Sequence, residues 1–290
     1  MVFINMCNKV NETGTFRYSN ENVNVKWVKN VHEYKVCGRA IVVNIGMTKA
    51  PYVKDDEIEI LKKYTKSLHR WESAILTDII IKEAELILVI NSPSLNKPDF
   101  YNKYTGFAPE LQAKDLTRQD LIINESVREE INQGKWLYGG DLYPAVKGMM
   151  LWQTKQELID LIGPFNLDPY YLTGQSDKQE DSRKKPFNIK CYLWFAPQQS
   201  HCGIHNNHTY IEIHTQISGV GHLPKFSKQD VTTMYEDYCM ASGFTTTKPY
   251  CVVTNDETEP SKIHFTYPWH EYYAETDCVW LVAEYHPAQE

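Results

Sequence analysis

The segment 201–214, HCGIHNNHTYIEIH, concentrates side chains that can bind a metal ion. It contains four of the ten histidines of the chain, and Glu212 adds a carboxylate. Imidazole nitrogens and carboxylate oxygens suit Fe(II), Mn(II), Ni(II) and Zn(II), and a site with few protein ligands leaves positions for water, substrate or O₂. The segment therefore predicts a site for one divalent transition metal.

The geometry between His208 and Glu212 depends on the local structure. Four residues of a straight strand span about 13 Å, which is too far for two ligands that each lie ~2 Å from one ion. A helix would align the two side chains, but β-branched neighbours such as Thr209 and Ile211 favour a strand. We therefore predict a loop that carries His205 and His208, a tight reversal, and a strand that begins at Glu212.

The same segment resembles the first conserved motif of the cupin superfamily. That motif has two histidines one residue apart, followed by Glu and then by Gly, and His208, Glu212 and Gly219 stand at the corresponding spacing. Asn206 occupies the place of the leading histidine, with His205 beside it. Either His205 supplies that ligand through a local bulge, or the site has fewer histidines.

A second segment, YPWHEYYA, resembles the second cupin motif, which contributes a further histidine. Pro268 and His270 match it, although the Gly between them is missing and Ala274 stands where the motif ends in Asn. The resemblance covers residues 187–287 and implies a double-stranded β-helix, which is a jelly-roll barrel. The metal ligands that it implies are His205, His208, Glu212 and His270.

Further side chains near this implied site are candidates for chemistry. Glu212, His214 and Gln216 point to one face of the predicted strand, because side chains alternate along a strand. We predict acid-base or orienting roles for His214, Tyr210 and Tyr272, and substrate contacts for Gln216, His264 and Tyr267. The alternative is that these side chains only fill the barrel.

Other cysteine and histidine patterns have simpler interpretations. Cys202-x-x-His205 is a competing zinc pattern, but structural zinc sites use paired Cys-x-x-Cys elements, which this sequence lacks. The histidines at 32, 69 and 286 are interpreted as surface or satisfied core residues. The seven cysteines are odd in number and widely spread, which indicates reduced thiols in a cytoplasm.

The C-terminal elements that must position the site are predicted to be strands. Runs such as IKCYLWFAP and CVWLVAEYH are β-branched or aromatic and separated by turns, which is typical of an antiparallel barrel over residues 187–290. One short helix is predicted over 227–243. The polar segment 174–186 is interpreted as a loop or linker that precedes the barrel.

The N-terminal region, residues 1–173, is predicted to be mixed α/β. Strand-like runs at 36–45 and 74–92 alternate with helical spacing at 54–71 and 117–132. A third helix is predicted from Thr154, where a capping box opens an apolar run. A degenerate second barrel is the alternative for this region. The fold class is therefore mixed and β-rich.

Composition restricts the classes of function. The 42% hydrophobic residues of the 290-residue chain indicate a folded globular protein. The net charge is −7 with scattered basic residues, which argues against nucleic acid as the main partner. We expect an unexported, cytoplasmic protein without a membrane segment, because neither a leader nor an 18-residue apolar window occurs. Motifs of serine hydrolases, P-loops and dinucleotide-binding proteins are also missing.

These features predict a metal-dependent enzyme of the cupin type. The leading hypothesis is a non-haem Fe(II) oxygenase that acts on a small polar metabolite. The first alternative is a redox-neutral isomerase, epimerase or lyase. The second is a non-catalytic barrel with a small-ligand-binding or regulatory role. The resemblance also implies pairing of two chains as a homodimer.

Overall fold

The structure is a computed structural model, and it describes eleven parts of the chain. These are residues 9–17, 19, 23–54, 66–92, 136–137, 151–153, 161–196, 198–246, 251–255, 263–276 and 278–288. The chain divides into two compact units, residues 1–99 and 100–290. Within the described residues, none of the helices is both long enough and apolar enough to cross a membrane.

The first unit is an antiparallel sheet of five strands. Its strands are β1 (Glu12–Thr15), β2 (Asn24–Asn44), β3 (Ala50–Val53), β4 (Lys66–Leu68) and β5 (Ser73–Asn91). They lie in the order β1-β2-β5-β3-β4. Residues rich in Val, Ile and Leu form the long strands β2 and β5, and their buried side chains pack into one core. β-branched side chains favour strands because they pack well on a pleated surface.

The β2–β5 ribbon bends on itself. Residues 87–90 of β5 pair with residues 25–28 at one end of β2 and with residues 41–44 at the other. The bend coincides with Gly38, whose φ is +71° and whose N–H donates to Asp78 Oδ1 at 2.7 Å. A strongly bent ribbon with both faces involved in packing is the main feature of this unit.

The predicted α/β character of the N-terminal half is wrong for the part of the chain that the structure describes. The end of the predicted 54–71 helix is β4, and the end of the helix predicted from Thr154 belongs to a strand that begins at Ile162. Residues 55–65, 154–160 and the whole 117–132 helix lie outside the described residues. Helical spacing of apolar residues was outweighed here by pairing with neighbouring strands, which tertiary context decides.

Among its described residues, the second unit contains the remaining strands and one short α-helix. The strands before the histidine segment are β6 (Trp136–Leu137), β7 (Leu151–Gln153), β8 (Ile162–Leu167) and β9 (Lys185–Ala196). The strands from the histidine segment onward are β10 (Ile211–Ser218), β11 (Gly221–Phe226), β12 (Met234–Met240), β13 (Val252–Asn255), β14 (Ile263–Thr266), β15 (Trp269–His270), β16 (Tyr273–Ala274) and β17 (Cys278–Pro287). Helix α1 spans Pro169–Leu172.

These strands form two antiparallel sheets, the kind of arrangement found in a jelly roll, as the C-terminal sequence predicted. One sheet has the order β10-β17-β9-β7-β6, with β8 also paired to β9, and a second sheet has β11 between β12 and the short strands β15 and β16. The strand pairs are antiparallel. Chain-distant strands such as β10 and β17 are neighbours, so the first sheet depends on pairing between residues about seventy positions apart.

Two details of this unit differ from the sequence prediction. The helix predicted over 227–243 is wrong, because residues 231–233 form one 3₁₀ turn and Met234–Met240 is strand β12. Val231, Thr232 and Thr233 are β-branched, and pairing with β11 outweighs the local pattern. The polar segment 174–186 lies between β8 and β9 within the second unit, and its role as a domain boundary stays a prediction.

Candidate metal centre

The loop before β10 runs beside β15 and β16 and carries the first two histidines. His205 and His270 exchange both backbone hydrogen bonds, each with an N···O distance of 2.9 Å, and an equivalent bridge joins His201 to Tyr273. This short antiparallel ladder holds the His205 and His270 rings with centroids 4.5 Å apart. Two residues that are sixty-five positions apart in the chain are thereby locked side by side.

Three histidines converge at the end of this ladder. The ligand nitrogens of His205, His208 and His270 lie within 4.8 Å of one another. The Nε2 atoms of His208 and His270 are 3.1 Å apart. The His208 and His270 side chains are 6% and 0% exposed, so these nitrogens face each other in a space largely closed to bulk water.

Backbone carbonyls fix the orientation of two of the three rings. His205 Nδ1 lies 2.7 Å from the carbonyl oxygen of Gly203, and His270 Nδ1 lies 2.8 Å from that of Pro268. In a neutral imidazole the nitrogen that donates carries the proton, so Nε2 of each ring is the acceptor that can bind a metal. Gly203 can aim its carbonyl at His205 because it adopts a φ of +81°, which a glycine tolerates without strain.

Glu212 brings a carboxylate to the same point from β10. Its Oε1 lies 3.7 Å from the Nε2 atoms of both His208 and His270. The Glu212 backbone N–H donates to the Tyr267 hydroxyl at 3.2 Å, and that hydroxyl donates to the Tyr210 carbonyl at 2.8 Å. Tyr267 therefore joins the start of β10 to the segment after β14 and fixes the position of Glu212.

The charge states of these groups suit metal binding. Burial lowers the pKa of His208 to about 4 and also lowers the pKa of His205. Burial acts to raise the pKa of Glu212, but the neighbouring histidines His208, His214 and His270 outweigh it and hold that pKa well below its ordinary range. At neutral pH His205 and His208 are therefore neutral imidazoles and Glu212 is an ionised carboxylate, which are the forms that coordinate metals.

The geometry fits a divalent transition metal. Two ligands at ~2.1 Å from one ion are about 3.0–3.4 Å apart in octahedral or tetrahedral sites, and the His208 and His270 Nε2 atoms are 3.1 Å apart. Without an ion, His208 Nε2–H can donate to His270 Nε2 at this distance, and a metal ion would replace that proton. His205, His208, His270 and Glu212 would hold the ion, with His205 in the role that Asn206 leaves open.

His214 and Tyr272 lie next to this group. The two rings are stacked, with centroids 3.7 Å apart and planes inclined by 9°. His214 Nε2 is 3.6 Å from Glu212 Oε2, and neither ring nitrogen of His214 has a hydrogen-bond partner among the described residues. A buried imidazole with both nitrogens unbonded is suited to accept or donate a proton beside a ligand of the metal.

The other predicted site residues are placed differently. Tyr210 is half-buried, and its ring lies 5.4 Å from that of His208. Gln216 is fully buried, and its amide is engaged by Ser218 and by Trp280 Nε1–H. His264 is exposed on β14, in the β13–β14 hairpin. The structure brings Tyr210 to the histidines, whereas the contacts of Gln216 and His264 lie elsewhere; the roles in chemistry and substrate binding stay predictions.

A buried carboxylate beside the site was missed by the sequence analysis. Glu284 on β17 is the cross-strand partner of Glu212 and is 5% exposed. It accepts hydrogen bonds from the hydroxyls of Tyr192 and Tyr210, and its Oε2 lies 2.6 Å from His286 Nε2. The available signal was the single charge in the otherwise apolar run CVWLVAEY, because a lone charge inside a buried strand needs partners.

Of the three comparisons with known proteins, the comparison with solved structures found similar proteins. No family model and no curated protein matches the sequence. An oxalate oxidase in complex with a substrate analogue, glycolate, has 11% identity and a TM-score of 0.23, over 34% of this chain and 42% of its own. An RmlC-like cupin from Shewanella frigidimarina has 11% identity and a TM-score of 0.22, over 37% of this chain and 78% of its own.

An oxalate decarboxylase has 14% identity and a TM-score of 0.24, over 93% of this chain and 70% of its own. This chain thus spans less than half the length of the oxalate oxidase, and the TM-scores are too low to support any conclusion about activity or substrate. The solved structures to which the chain is similar include cupin proteins.

Proposed function

We propose that the second unit is a metal-dependent enzyme of the cupin type, a non-haem Fe(II) oxygenase that acts on a small polar metabolite. The observation that supports this proposal is the convergence of three histidines and one carboxylate in a closed part of the barrel. A bound Fe(II) would supply a redox-active Lewis acid for O₂ and for a substrate oxygen.

The ligand atoms favour such an ion over a thiolate-bound zinc. Burial raises the pKa of the Cys202 thiol to about 12, so forming a thiolate there costs more than at an ordinary cysteine. Cys202 Sγ instead accepts the Tyr272 backbone N–H at 3.1 Å. The remaining set of imidazoles and one carboxylate suits Fe(II), Mn(II) or Ni(II).

The protein residues around the ligands would have distinct tasks. Tyr267 positions Glu212 through the backbone of β10, and the carbonyls of Gly203 and Pro268 hold two histidine rings in one tautomer. His214, stacked on Tyr272, is the group that would take or give a proton next to the substrate. Preorganised groups of this kind act in a site from which water is largely excluded.

A redox-neutral isomerase or lyase is the second candidate. The observation that favours it is His214, which offers two unbonded buried nitrogens to an acid-base reaction that needs no O₂. In that case the ion would only polarise a carbonyl, carboxylate or hydroxyl of the substrate. The oxygenase needs a redox-active metal with a coordination position open to O₂, whereas the isomerase or lyase does not.

Elemental analysis of the full chain, purified without chelator or affinity metal, tests the site. We expect about one metal per chain, and His208→Ala and His270→Ala should each reduce metal affinity at least about tenfold. His264→Ala is the matched control, because His264 is exposed on β14, and it should retain the metal. A parent protein that takes up no metal under any reconstitution would rule out a metalloenzyme.

Nitric oxide distinguishes the two candidates without a known substrate. The Fe(II)-loaded protein should give the paramagnetic resonance spectrum of a nitrosyl adduct if the site has a position open to O₂. A protein that selects Mn(II), Ni(II) or Zn(II) over Fe(II), or whose Fe(II) form does not react with nitric oxide, would favour the isomerase or lyase.

A further inference from the structure

A cavity lies on the side of β11 that faces away from the histidine triad. Lys225 of β11 pairs with His270, so the side chains of these two residues share one face of the sheet. The neighbouring residues His222, Pro224 and Phe226 alternate to the opposite face and line a cavity of about 520 Å³. This outer pocket has the volume of typical small-molecule sites.

The walls of the outer pocket are apolar. The pocket is lined by Pro224 and Phe226 of β11, Tyr273 of β16, Val231 of the turn before β12, and Met234 at the start of β12. Val231 and Met234 are 55% and 54% exposed. A cluster of exposed apolar side chains around a concavity is unfavourable in water unless a ligand covers it, which is why such clusters mark binding sites.

The polar end of the outer pocket holds a buried pair. His201 and Glu271 are 4% and 6% exposed, and His201 Nδ1 lies 3.0 Å from Glu271 Oε2. The contact with His201 uses Oε2 of Glu271. A carboxylate has more acceptor positions than one hydrogen bond fills, so Oε1 can accept a further hydrogen bond from a ligand.

A second carboxylate approaches the outer pocket from β12. Asp237 lines it, and Asp237 Oδ2 lies 2.8 Å from His222 Nδ1, while Glu275 Oε2 lies 2.8 Å from His222 Nε2. Three carboxylates thus surround two imidazoles. The described residues that line the pocket include no Lys or Arg, so its electrostatic character favours a cation.

We propose that the outer pocket binds a small organic cation, namely a primary ammonium group on an aromatic or branched apolar body. The ammonium would donate charge-assisted hydrogen bonds to Glu271 Oε1 and to Asp237, and the apolar body would pack on Phe226, Met234 and Tyr273. The proposal does not depend on the metal centre, since the triad lies on the other face of the sheet.

Binding can be measured with three probes of matched shape: 2-phenylethylamine, 2-phenylethanol and 3-phenylpropionate. The full chain would carry ¹³C-methyl methionine, and the Met234 signal, assigned with Met234→Leu, would be followed during titration. We expect a saturable shift of the Met234 signal with the amine. The alcohol and the carboxylate should bind at least about tenfold more weakly, because they lack the charge-assisted donor.

Two adjacent residues of β12 provide a matched pair of variants. Asp237→Asn should weaken amine binding about tenfold. Glu236→Gln removes the same charge from the next residue, whose side chain points to the other face and pairs with Lys225, and should leave binding unchanged. His208→Ala should also leave it unchanged, which separates this pocket from the metal centre. Thermal unfolding would show that each variant is folded.

Several results would overturn the proposal. One is a Met234 signal that does not move with the amine, and another is binding of the alcohol or the carboxylate that equals that of the amine. Equal weakening by Asp237→Asn and Glu236→Gln would show a general effect of charge rather than a built site.

Discussion

At the scale of single residues, the geometry of the candidate metal centre depends on groups that would not contact a bound metal ion. Tyr267 is an example, because its hydroxyl both accepts the Glu212 N–H and donates to the Tyr210 carbonyl. Carbonyl oxygens likewise hold two of the histidine rings. Such outer partners tune ligand orientation, and their loss is expected to weaken metal binding almost as much as loss of a ligand.

Tyr267→Phe should therefore affect both stability and metal affinity. The change leaves the buried Glu212 N–H without an acceptor, which costs about 1–3 kcal/mol of the unfolding free energy, and metal affinity should fall about tenfold or more. Tyr170→Phe is the control, since its hydroxyl makes an exposed hydrogen bond to Asn255 Oδ1. Chemical denaturation and metal titration measure the two effects. Equal losses in both variants would contradict a positioning role for Tyr267.

The metal-free protein should lose stability on mild acidification because of His208. Its pKa of about 4 in the folded state lies below the ordinary value of 6.5. Between these values the unfolded chain binds more protons, so the unfolding free energy decreases as the pH falls from about 6.5 to about 4, by about 3 kcal/mol in total. His208→Gln should flatten this dependence in denaturation curves, whereas His264→Gln should leave it intact. An unchanged slope in His208→Gln would contradict the assignment.

At the scale of elements, β11 lies between the outer pocket and the histidine triad. The position of this strand depends on close packing around its first residue, Gly221. Gly221 pairs with Met240 and Ala274 on its two sides. A Cβ atom at this position would lie 2.6 Å from Trp280 Cζ2 and 2.9 Å from Gln216 Oε1. The sequence analysis could not show that this glycine serves a close approach of β11 to β17 rather than only a turn.

Gly221→Ala should consequently destabilise the second unit. The added methyl group displaces the fully buried Trp280, and overpacking of this kind costs about 1–3 kcal/mol. Denaturation would measure the loss, and the fluorescence of Trp280 should shift to the red as its ring moves toward water. An unfolding free energy equal to that of the parent would show that the barrel accommodates the methyl group freely.

His222 on β11 forms ion pairs with Asp237 on β12 and with Glu275 after β16. It predicts a pH dependence of stability that is opposite in sign to that of His208. Burial acts to lower the pKa of His222, but its hydrogen bonds with Glu275 and Asp237 outweigh burial and raise it. The contribution of this group is complete below the ordinary pKa of about 6.5 and is lost as the pH rises through the higher folded value. Denaturation curves of His222→Gln should lack the decrease in stability on the alkaline side that the parent shows. A decrease of the same size in the variant would assign it to another group.

At the scale of the whole molecule, the chain consists of two units, and the candidate metal centre found among the described residues lies in the second. A metal that binds only the folded state stabilises it by about 2.7 kcal/mol when its free concentration is a hundred times the dissociation constant. Calorimetry of the full chain should therefore show metal-dependent stabilisation of one transition, and His208→Ala should abolish it. A shift of every transition by the same amount would contradict independent units.

Pairing of two chains stays a prediction at this scale. Light scattering of the full chain should give twice the 33.8 kDa of one chain if the homodimer implied by the resemblance forms. A mass of one chain at all accessible concentrations would exclude it.

The sequence by itself determined the candidate ligands and the C-terminal strands. The spacing of His208, Glu212 and Gly219, together with the motif around His270, indicated a cupin-like barrel, because alternation and turn residues are local properties of the chain. The same local patterns failed for the helix predicted at 227–243 and for residues 66–71 at the end of the helix predicted at 54–71, since pairing with other strands decides the structure of such segments.

Only the tertiary structure decided how distant residues meet. His205 reaches the triad because its backbone pairs with that of His270, and no local signal distinguished it from Asn206. The Glu284 cluster and the outer pocket have the same origin, since each is built from strands separated by tens of residues along the chain. Sequence spacing reports which face a side chain takes on its own strand, whereas the register between strands, set by packing of the whole barrel, decides which faces come together.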